Sequence, residues 1–455
     1  MAGPTFKTGE LGPPPPAVPQ PVDGYEIGAY RLLTRLARPA APYILRLRER
    51  NGKEDPLRKN ERLGRPSLPR PSGTVVWIHA ASVGETSSIL PLIRALHHNR
   101  PAAGILLTTG TVTSARFAAT RIEPSTLHQY VPLDEPSFVA SFLDHWRPDL
   151  AIFTEQEIWP NLVLEAARRR IPLALVNARM SDRSFERWRR RPRLANALFS
   201  RFSKVLTQSD TLEARFRALG AVKVENVGNL KIDTPPPPVD AGAFAALHDA
   251  LGGRPRVVAA STHDPEELAI ADAHSRLRTS MPGLVTIIAP RHPDRGEAIA
   301  TALRARGICV ARRSEGELPS RETEVYLVDT IGELGTMYAL APVAFIGGTL
   351  IPHGGQNPIE AVQLGSVVVA GQSRYNFADV FAALDAANGC VTVEPGADLA
   401  AALLGPLTDP VMAAERRSSA TAALTGLSGA LERSVNGLLP YIAEDLAARP
   451  ENMSA

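Results

Sequence analysis

Cysteine is nearly absent from these 455 residues: Cys309 and Cys390 lie far apart and have no metal-ligand spacing. A disulfide scaffold and a thiolate metal centre are therefore not expected, and the usage fits a reducing compartment. Aromatics make up 5% of the chain, too few for the stacking platforms that hold single-stranded nucleic acid, so no nucleic-acid partner is expected. Charge of either sign is barely in excess. The 50 basic and 47 acidic residues leave +3, and any attraction for anions has to be local. No run of about eighteen apolar residues occurs, so no ordinary spanning helix is expected. Met1–Gln20 lacks the apolar core of a signal peptide. There is no Asp-x-Asp pair to bridge a metal to a pyrophosphate donor, and no metal or other cofactor is expected.

What is present is a soluble composition, 44% apolar and 21% charged, on a chain long enough for two cores. Residues 1–22, with four consecutive prolines from Pro13, read as a disordered tail. Residues 23–70 read as a basic amphipathic, membrane-associating segment. Ile27, Tyr30, Leu33, Leu36, Tyr43, Ile44 and Leu47 are interleaved with Arg31, Arg35, Arg38, Arg46, Arg48 and Arg50. Such a segment can lie on an anionic bilayer with its arginines at the headgroups. The plainer alternative is a helix packed on the body of the protein with a solvated arginine face.

From Thr74 onward, short apolar runs alternate with stretches of helical length, the pattern of a parallel α/β sheet. The first series is Thr74–His79, 103–108, 150–153, 172–177 and 204–208. Four prolines, Pro235 to Pro238, interrupt it, because they fit neither helix nor sheet. A second series follows: 256–260, 284–289, 308–311, 325–328, 342–346, 367–370 and 390–393. The expected organisation is an acceptor domain over 71–233, a linker over 234–253, a donor domain over 254–430, and a C-terminal helix and tail over 431–455. The fold class is α/β, two Rossmann-like domains facing across a cleft.

The run Phe345–Glu360 organises the second series. An apolar strand breaks into Gly347-Gly348 and Gly354-Gly355, and Asn357-Pro358-Ile359-Glu360 opens a helix with Asn357 placed to cap it. A glycine loop delivering a helix N-terminus suits an anion, and Glu360 suits vicinal hydroxyls such as those of a ribose. The alternative is an ordinary strand–loop–helix turn. In the first series, Glu85 follows the strand Thr74–His79 and suits a general base, although an acid in a first helical turn also complements the dipole. Glu155 and Glu157, followed by Trp159 and Pro160, make a second acidic strand end. Arg291, after the strand 284–289, suits a phosphate clamp. Lys231 sits at the domain junction. Ser261-Thr262-His263 offer donors, while His292 and His353 suit ligands or acids, although lone loop histidines are more often structural.

In chain order, Ser82-Val-Gly-Glu85, Thr154-Glu-Gln-Glu-Ile-Trp-Pro-Asn161, Asn177-Ala-Arg-Met-Ser181, Gly228-Asn-Leu-Lys231, Ala289-Pro-Arg-His292 and Gly354-Gly-Gln-Asn-Pro-Ile-Glu360 resemble the 3-deoxy-D-manno-octulosonic acid (Kdo) transferases. The likeness runs from about Tyr25 to Ala387. It implies the GT-B fold and inverting, metal-free transfer of Kdo from a CMP-Kdo donor to a lipid A precursor. The place implied is the cytoplasmic face of the bacterial inner membrane, in lipopolysaccharide core biosynthesis. By the same resemblance Glu85 is the catalytic base, and Glu155 and Lys231 stabilise the transition state. Pro290, Arg291, Ile331, Gly332, Glu333, Gly355, Asn357, Pro358, Ile359 and Glu360 are the implied CMP contacts. Gln356 stands where the family usually has a His. Two rivals are a GT-B relative using a UDP-sugar and a non-catalytic nucleotide or lipid binder. Carboxylates at Glu85 and Glu155 argue against a binder of anions.

Overall fold

The computed structural model describes residues 24–443, and the chain forms two compact units, 1–234 with 428–455 and 235–427. The Pro-rich tail expected over 1–22 and the last residues of the expected C-terminal tail lie outside the described residues.

The first unit holds seven parallel strands: β1 (Val75–His79), β2 (Gly104–Thr109), β3 (Thr126–Tyr130), β4 (Leu150–Thr154), β5 (Leu173–Ala178), β6 (Lys204–Thr207) and β7 (Val224–Asn226). Their order is β3-β2-β1-β4-β5-β6-β7. Both faces of the sheet are covered, which is why the strands read as unbroken apolar runs. Alternate residues Val75, Trp77, Ala151, Phe153, Leu173 and Leu175 enter one buried cluster. Val76, Ile78, Leu150, Ile152, Ala174 and Val176 enter the other. The order reverses between β1 and β4, so the crevice beyond their carboxyl ends is the ligand position of such a sheet.

The second unit repeats the plan with β8 (Arg256–Thr262), β9 (Val285–Pro290), β10 (Val310–Arg312), β11 (Val325–Leu327), β12 (Val343–Ile346), β13 (Val367–Ala370) and β14 (Cys390–Thr392). Their order is β10-β11-β9-β8-β12-β13-β14, all parallel, with the reversal between β8 and β12. All seven strands expected in this half are present. In the first unit β3 and β7 are additional. β3 carries the polar sequence Thr-Leu-His-Gln-Tyr at a sheet edge, and β7 is only three residues long.

Three expected boundaries change. The linker expected over 234–253 is shorter, because Ala241–Leu251 is a helix of the second unit. Asp240 caps it by accepting from the Ala243 amide at 2.8 Å, and Leu247 and Leu251 are buried. The second compact unit covers 235–427, where a domain over 254–430 was expected, and the chain then returns to the first unit. There the helix Ala430–Leu438 buries Ala430, Val435 and Leu438 with the β1–β4 cluster. The Asp233 carboxylate accepts from the Gly429 and Leu431 amides at 2.9 and 2.6 Å.

The third change concerns residues 23–70. Helices Tyr25–Ala37 and Ala41–Arg50 form the amphipathic part, with a tight turn at Arg38–Ala40. Residues from Lys53 on belong to the body. Glu54 and Arg62 are buried and paired at 2.9 Å, and buried Glu61 accepts from the Tyr130 amide at 2.8 Å. Arg58 and Arg62 lie over the Tyr130 ring at 4.9 and 4.7 Å. This charged strap closes the exposed edge at β3, where unpaired backbone would otherwise invite association. Arg62→Leu leaves Glu54 with the half-exposed Arg48 alone. It should lower the stability of the first unit by about 3–5 kcal/mol in denaturant unfolding. A loss below about 1 kcal/mol, the level of a surface pair, would show that the strap is dispensable.

Candidate active site

At the end of β1 the chain turns through Ala80 and Ala81 into the helix Val83–Asn99. Ser82 caps that helix, its Oγ accepting from the Glu85 amide at 3.3 Å, while the Glu85 side chain reaches back to Ser82 and Ala81. Glu85 Oε1 accepts from the Ser82 hydroxyl at 2.7 Å, and Oε2 accepts from the Ala81 amide at 3.0 Å and the Thr154 hydroxyl at 2.9 Å. An ionised carboxylate has about four acceptor positions, so one remains for a substrate hydroxyl. Burial, then the neighbouring charge of Glu155, raise the Glu85 carboxyl above its ordinary range, against its three hydrogen bonds.

Glu155, directly after β4, adopts φ 51°, a left-handed conformation that costs a non-glycine residue about 1–3 kcal/mol. The turn buries its carboxylate against Lys231 at 2.7 Å and Arg179 at 3.2 Å. Burial works against ionisation here, but Lys231 and Arg179 outweigh it and hold the carboxyl below its usual range. Lys231 is brought in by its own loop. Buried Asn177, itself at φ 52°, accepts from the Leu230 amide at 3.1 Å, and Asn229 accepts from the Lys231 amide at 3.0 Å. Two carboxylates pushed in opposite directions are the arrangement expected of an acid–base site. Glu157 is the third acid. Burial, then Glu85, raise it, and the Trp159 indole donates to its Oε2 at 2.7 Å.

In the second unit the loops after β8, β9, β11 and β12 carry the other candidates. The glycine loop departs from expectation. The amides of Gly348, Thr349 and Leu350 donate to the buried carboxylate of Glu266 at 2.7, 3.1 and 3.1 Å. They are therefore not available to an anion, and burial raises the Glu266 carboxyl. Gly347 is required by packing, since a Cβ there would lie 2.2 Å from the Ser261 carbonyl oxygen. The helix that follows is short, Ile359–Gln363, with Pro358 rather than Asn357 at its N-cap. Asn357 still accepts from the Ile359 amide at 3.0 Å and donates to Glu360 at 3.0 Å.

Pro290 ends β9, and Arg291 is exposed, its amide donating to the Thr262 carbonyl at 3.0 Å. Among the described residues, no ion pair engages the Arg291 guanidinium. Ile331 is 79% exposed and Gly332 has φ 92°, which leaves this turn open. Glu333 is already paired with Arg313 at 2.7 Å, which holds its carboxyl below the usual range although burial opposes it. His292 and His353 do not stand alone. Both face His263, with ring centroids 5.9 and 4.0 Å away, and Gln356 Nε2 lies 3.1 Å from His263 Nε2. Burial, the two imidazoles and Arg291 lower His263 to about 4. No local sequence signal joins residues 263, 292 and 353; only the meeting of three loops does.

A family model described as 3-deoxy-D-manno-octulosonic-acid transferase (kdotransferase) matches residues 57–234. The transferase of Haemophilus influenzae is 34% identical over 83% of this chain and 89% of its own length. That of Bordetella pertussis is 33% identical over 91% of this chain and 99% of its own. The chain belongs to the Kdo transferase family. A probable mitochondrial member from Arabidopsis thaliana is 38% identical over 79% of this chain and 82% of its own. Anabaena HepE with UDP and glucose superposes at TM-score 0.56 with 16% identity, over 81% of this chain and 99% of that one. S. aureus MnaA with UDP gives 0.57 at 14%, over 81% and 97%. These two likenesses establish the GT-B-like fold, and family membership makes the chain a glycosyltransferase.

Because Glu85 must be ionised to act as a base, kcat/KM should fall as pH drops through a value above the ordinary glutamate pKa of about 4.3. Glu155→Gln removes a repulsive charge beside Glu85 and the carboxylate partner of Lys231 and Arg179. A pH–rate profile of that variant should show the acid limb moved to lower pH. An unmoved limb would detach Glu85 from it.

Proposed function

We propose that the protein transfers Kdo from CMP-Kdo to a lipid A precursor such as lipid IVA, in lipopolysaccharide biosynthesis at the cytoplasmic face of the inner membrane. The observation that carries this reading is the meeting of Glu85, Glu155 and Lys231 at the β1–β4 reversal, in a chain of this family. Glu85 takes the proton of an acceptor hydroxyl through its one unused acceptor position. The hydroxyl oxygen attacks the anomeric carbon, the bond to the phosphate breaks, CMP leaves, and the configuration inverts. The Glu155–Lys231 pair offers a fixed dipole beside the developing charge. In the second unit, Arg291 is the cation for the donor phosphate, with Pro290, Ile331, Gly332, Gly355, Asn357, Pro358, Ile359 and Glu360 as the remaining donor contacts. Glu333 acts there by fixing Arg313.

Incubation of the protein with CMP-Kdo and purified lipid A precursor should add Kdo by mass spectrometry, with inhibition by CMP and not by UDP. Glu85→Gln should reduce the rate by about a hundred- to ten-thousand-fold while CMP binding is kept. A UDP-sensitive, CMP-insensitive reaction would replace this donor with a UDP-sugar.

The same reading places the first two helices against the bilayer. Ile27 is buried in the core, Tyr30 donates to Asp134 at 2.8 Å, and Arg31 pairs with Glu165, so these three face the body. Leu32, Leu33, Leu36, Tyr43, Ile44 and Leu47 are exposed, together with Arg35, Arg38, Arg46 and Arg50. Among the described residues no helix is long and apolar enough to cross a membrane. The contact proposed is therefore interfacial, with apolar side chains inserted and arginines at the headgroups. Changing Leu32, Leu33 and Leu36 together to Gln should abolish sedimentation with anionic liposomes at all salt concentrations. Changing Arg35, Arg46 and Arg50 to Gln should weaken it mainly at low salt. Unchanged sedimentation in both would move the membrane contact elsewhere.

A further inference from the structure

Trp159, the N-cap residue of the helix Pro160–Arg168, opens that helix without capping it through its side chain. The cap comes from elsewhere: Asp134 accepts from the Asn161 and Leu162 amides at 3.1 and 2.9 Å. The apolar anchor before the helix is Ile158, which packs on the core, so Trp159 is not needed there either. Trp77 and Trp146 are fully buried, whereas Trp159 is 45% exposed. Its orientation is nonetheless fixed, because the indole N–H donates to Glu157. An exposed but anchored indole is costly to keep in water and cheap to cover with a ligand.

Near Glu157 a buried imidazole presents an acceptor and no hydrogen-bond donor. His79 is buried, its Nδ1 directed at the Thr108 carbonyl and hydroxyl oxygens at 3.2 and 3.0 Å. Nδ1 donates there, so Nε2 is a bare acceptor. It has no hydrogen-bond partner and lies 3.9 Å from Glu157 Oε2. Burial, with Arg62 adding to it, lowers His79 to about 4 and keeps the ring neutral. Glu85 and Glu155 are the other charges facing Glu157. A flat apolar face beside clustered acceptors is complementary to a pyranose ring, which brings polarised C–H groups on one face and several O–H donors on its edge.

We propose that Trp159 and Glu157 form a subsite for a sugar ring of the acceptor, an amino-sugar pyranose stacked on the indole with a hydroxyl donating to the Glu157 carboxyl. This rests on the transfer reaction proposed above and specifies which residues seat its acceptor. The surroundings fit a lipid-linked sugar. Asn161, two residues beyond Trp159, donates to Thr34 at 3.2 Å, and Asp134 joins it to Tyr30. The start of the helix that follows Trp159 is thereby tied to the helix that exposes Leu32, Leu33 and Leu36, an apolar surface suited to the acyl chains of a lipid-linked sugar.

The test uses the full chain and a soluble, deacylated glucosamine disaccharide. Without donor, the disaccharide should change the tryptophan fluorescence of the wild type, and this response should be lost in Trp159→Phe. In the transfer assay Trp159→Ala should raise the acceptor KM about tenfold or more, with Trp159→Phe in between. The donor KM should stay within about twofold, and kcat at saturating acceptor should fall far less than in Glu85→Gln. Glu157→Gln should raise the acceptor KM as well. An acceptor KM in Trp159→Ala within about twofold of wild type overturns the subsite while leaving the transfer reaction standing. A Trp159-dependent fluorescence response with no transfer by the wild type supports the subsite and overturns the reaction. A fluorescence response that survives in Trp159→Phe assigns sugar binding to another place and overturns the proposal.

Discussion

Lys231 closes on Glu155 at 2.7 Å, with Arg179 at 3.2 Å, where the carboxylate is nearly removed from water. A buried carboxylate stays charged only with partners of this quality. Much of the surrounding chain is arranged to supply them. Glu155 takes a left-handed backbone to turn its side chain inward, Asn177 does the same one strand over, and the Gly228–Lys231 loop is bonded to Asn177. Glu155 then stays ionised beside Glu85, and its charge helps to raise Glu85. The proposed base is thus tuned by a neighbour whose own carboxyl is held below its usual range.

The second unit treats its glycine loop differently. Glu266 occupies the amides of Gly348, Thr349 and Leu350, so the loop is fixed by a carboxylate of its own chain. Arg291, exposed and outside any ion pair among the described residues, is the proposed cation of this unit, and it helps to keep His263 uncharged. Gln356 has a structural reason of its own. It contacts the one imidazole that Arg291, His292 and His353 all disfavour charging, and an amide does so without adding charge.

The N-terminal segment divides its labour along one helix. Ile27, Tyr30, Arg31 and Thr34 serve the body, and the intervening leucines and arginines remain outside. The helix is therefore held at a fixed angle to the sheet and is not a free amphipathic arm. The strap that follows closes the β3 edge through Glu54, Glu61 and Arg62.

Composition and periodicity determined the α/β class, all seven strands of the second unit and five of the first, because strands buried on both faces must be apolar at every position. The edge strands β3 and β7 were illegible for the same reason: Thr126–Tyr130 is polar, and Val224–Asn226 is too short to form a pattern. The strand pattern placed Glu85 and Glu155 just beyond strand ends and Lys231 at the domain junction. That Lys231 would meet Glu155 across 76 positions, or that Thr154 would donate to Glu85 across 69, depends on strand order, which no local spacing encodes. The sequence could not indicate that Glu266 fills the glycine loop, that Glu333 is spent on Arg313, or that three histidines meet. Ionisation and exposure are properties of neighbours in space. Residue type sets which chemistry is available, and tertiary packing decides which of those groups is charged, which is already bonded, and which, like Trp159, is left facing water.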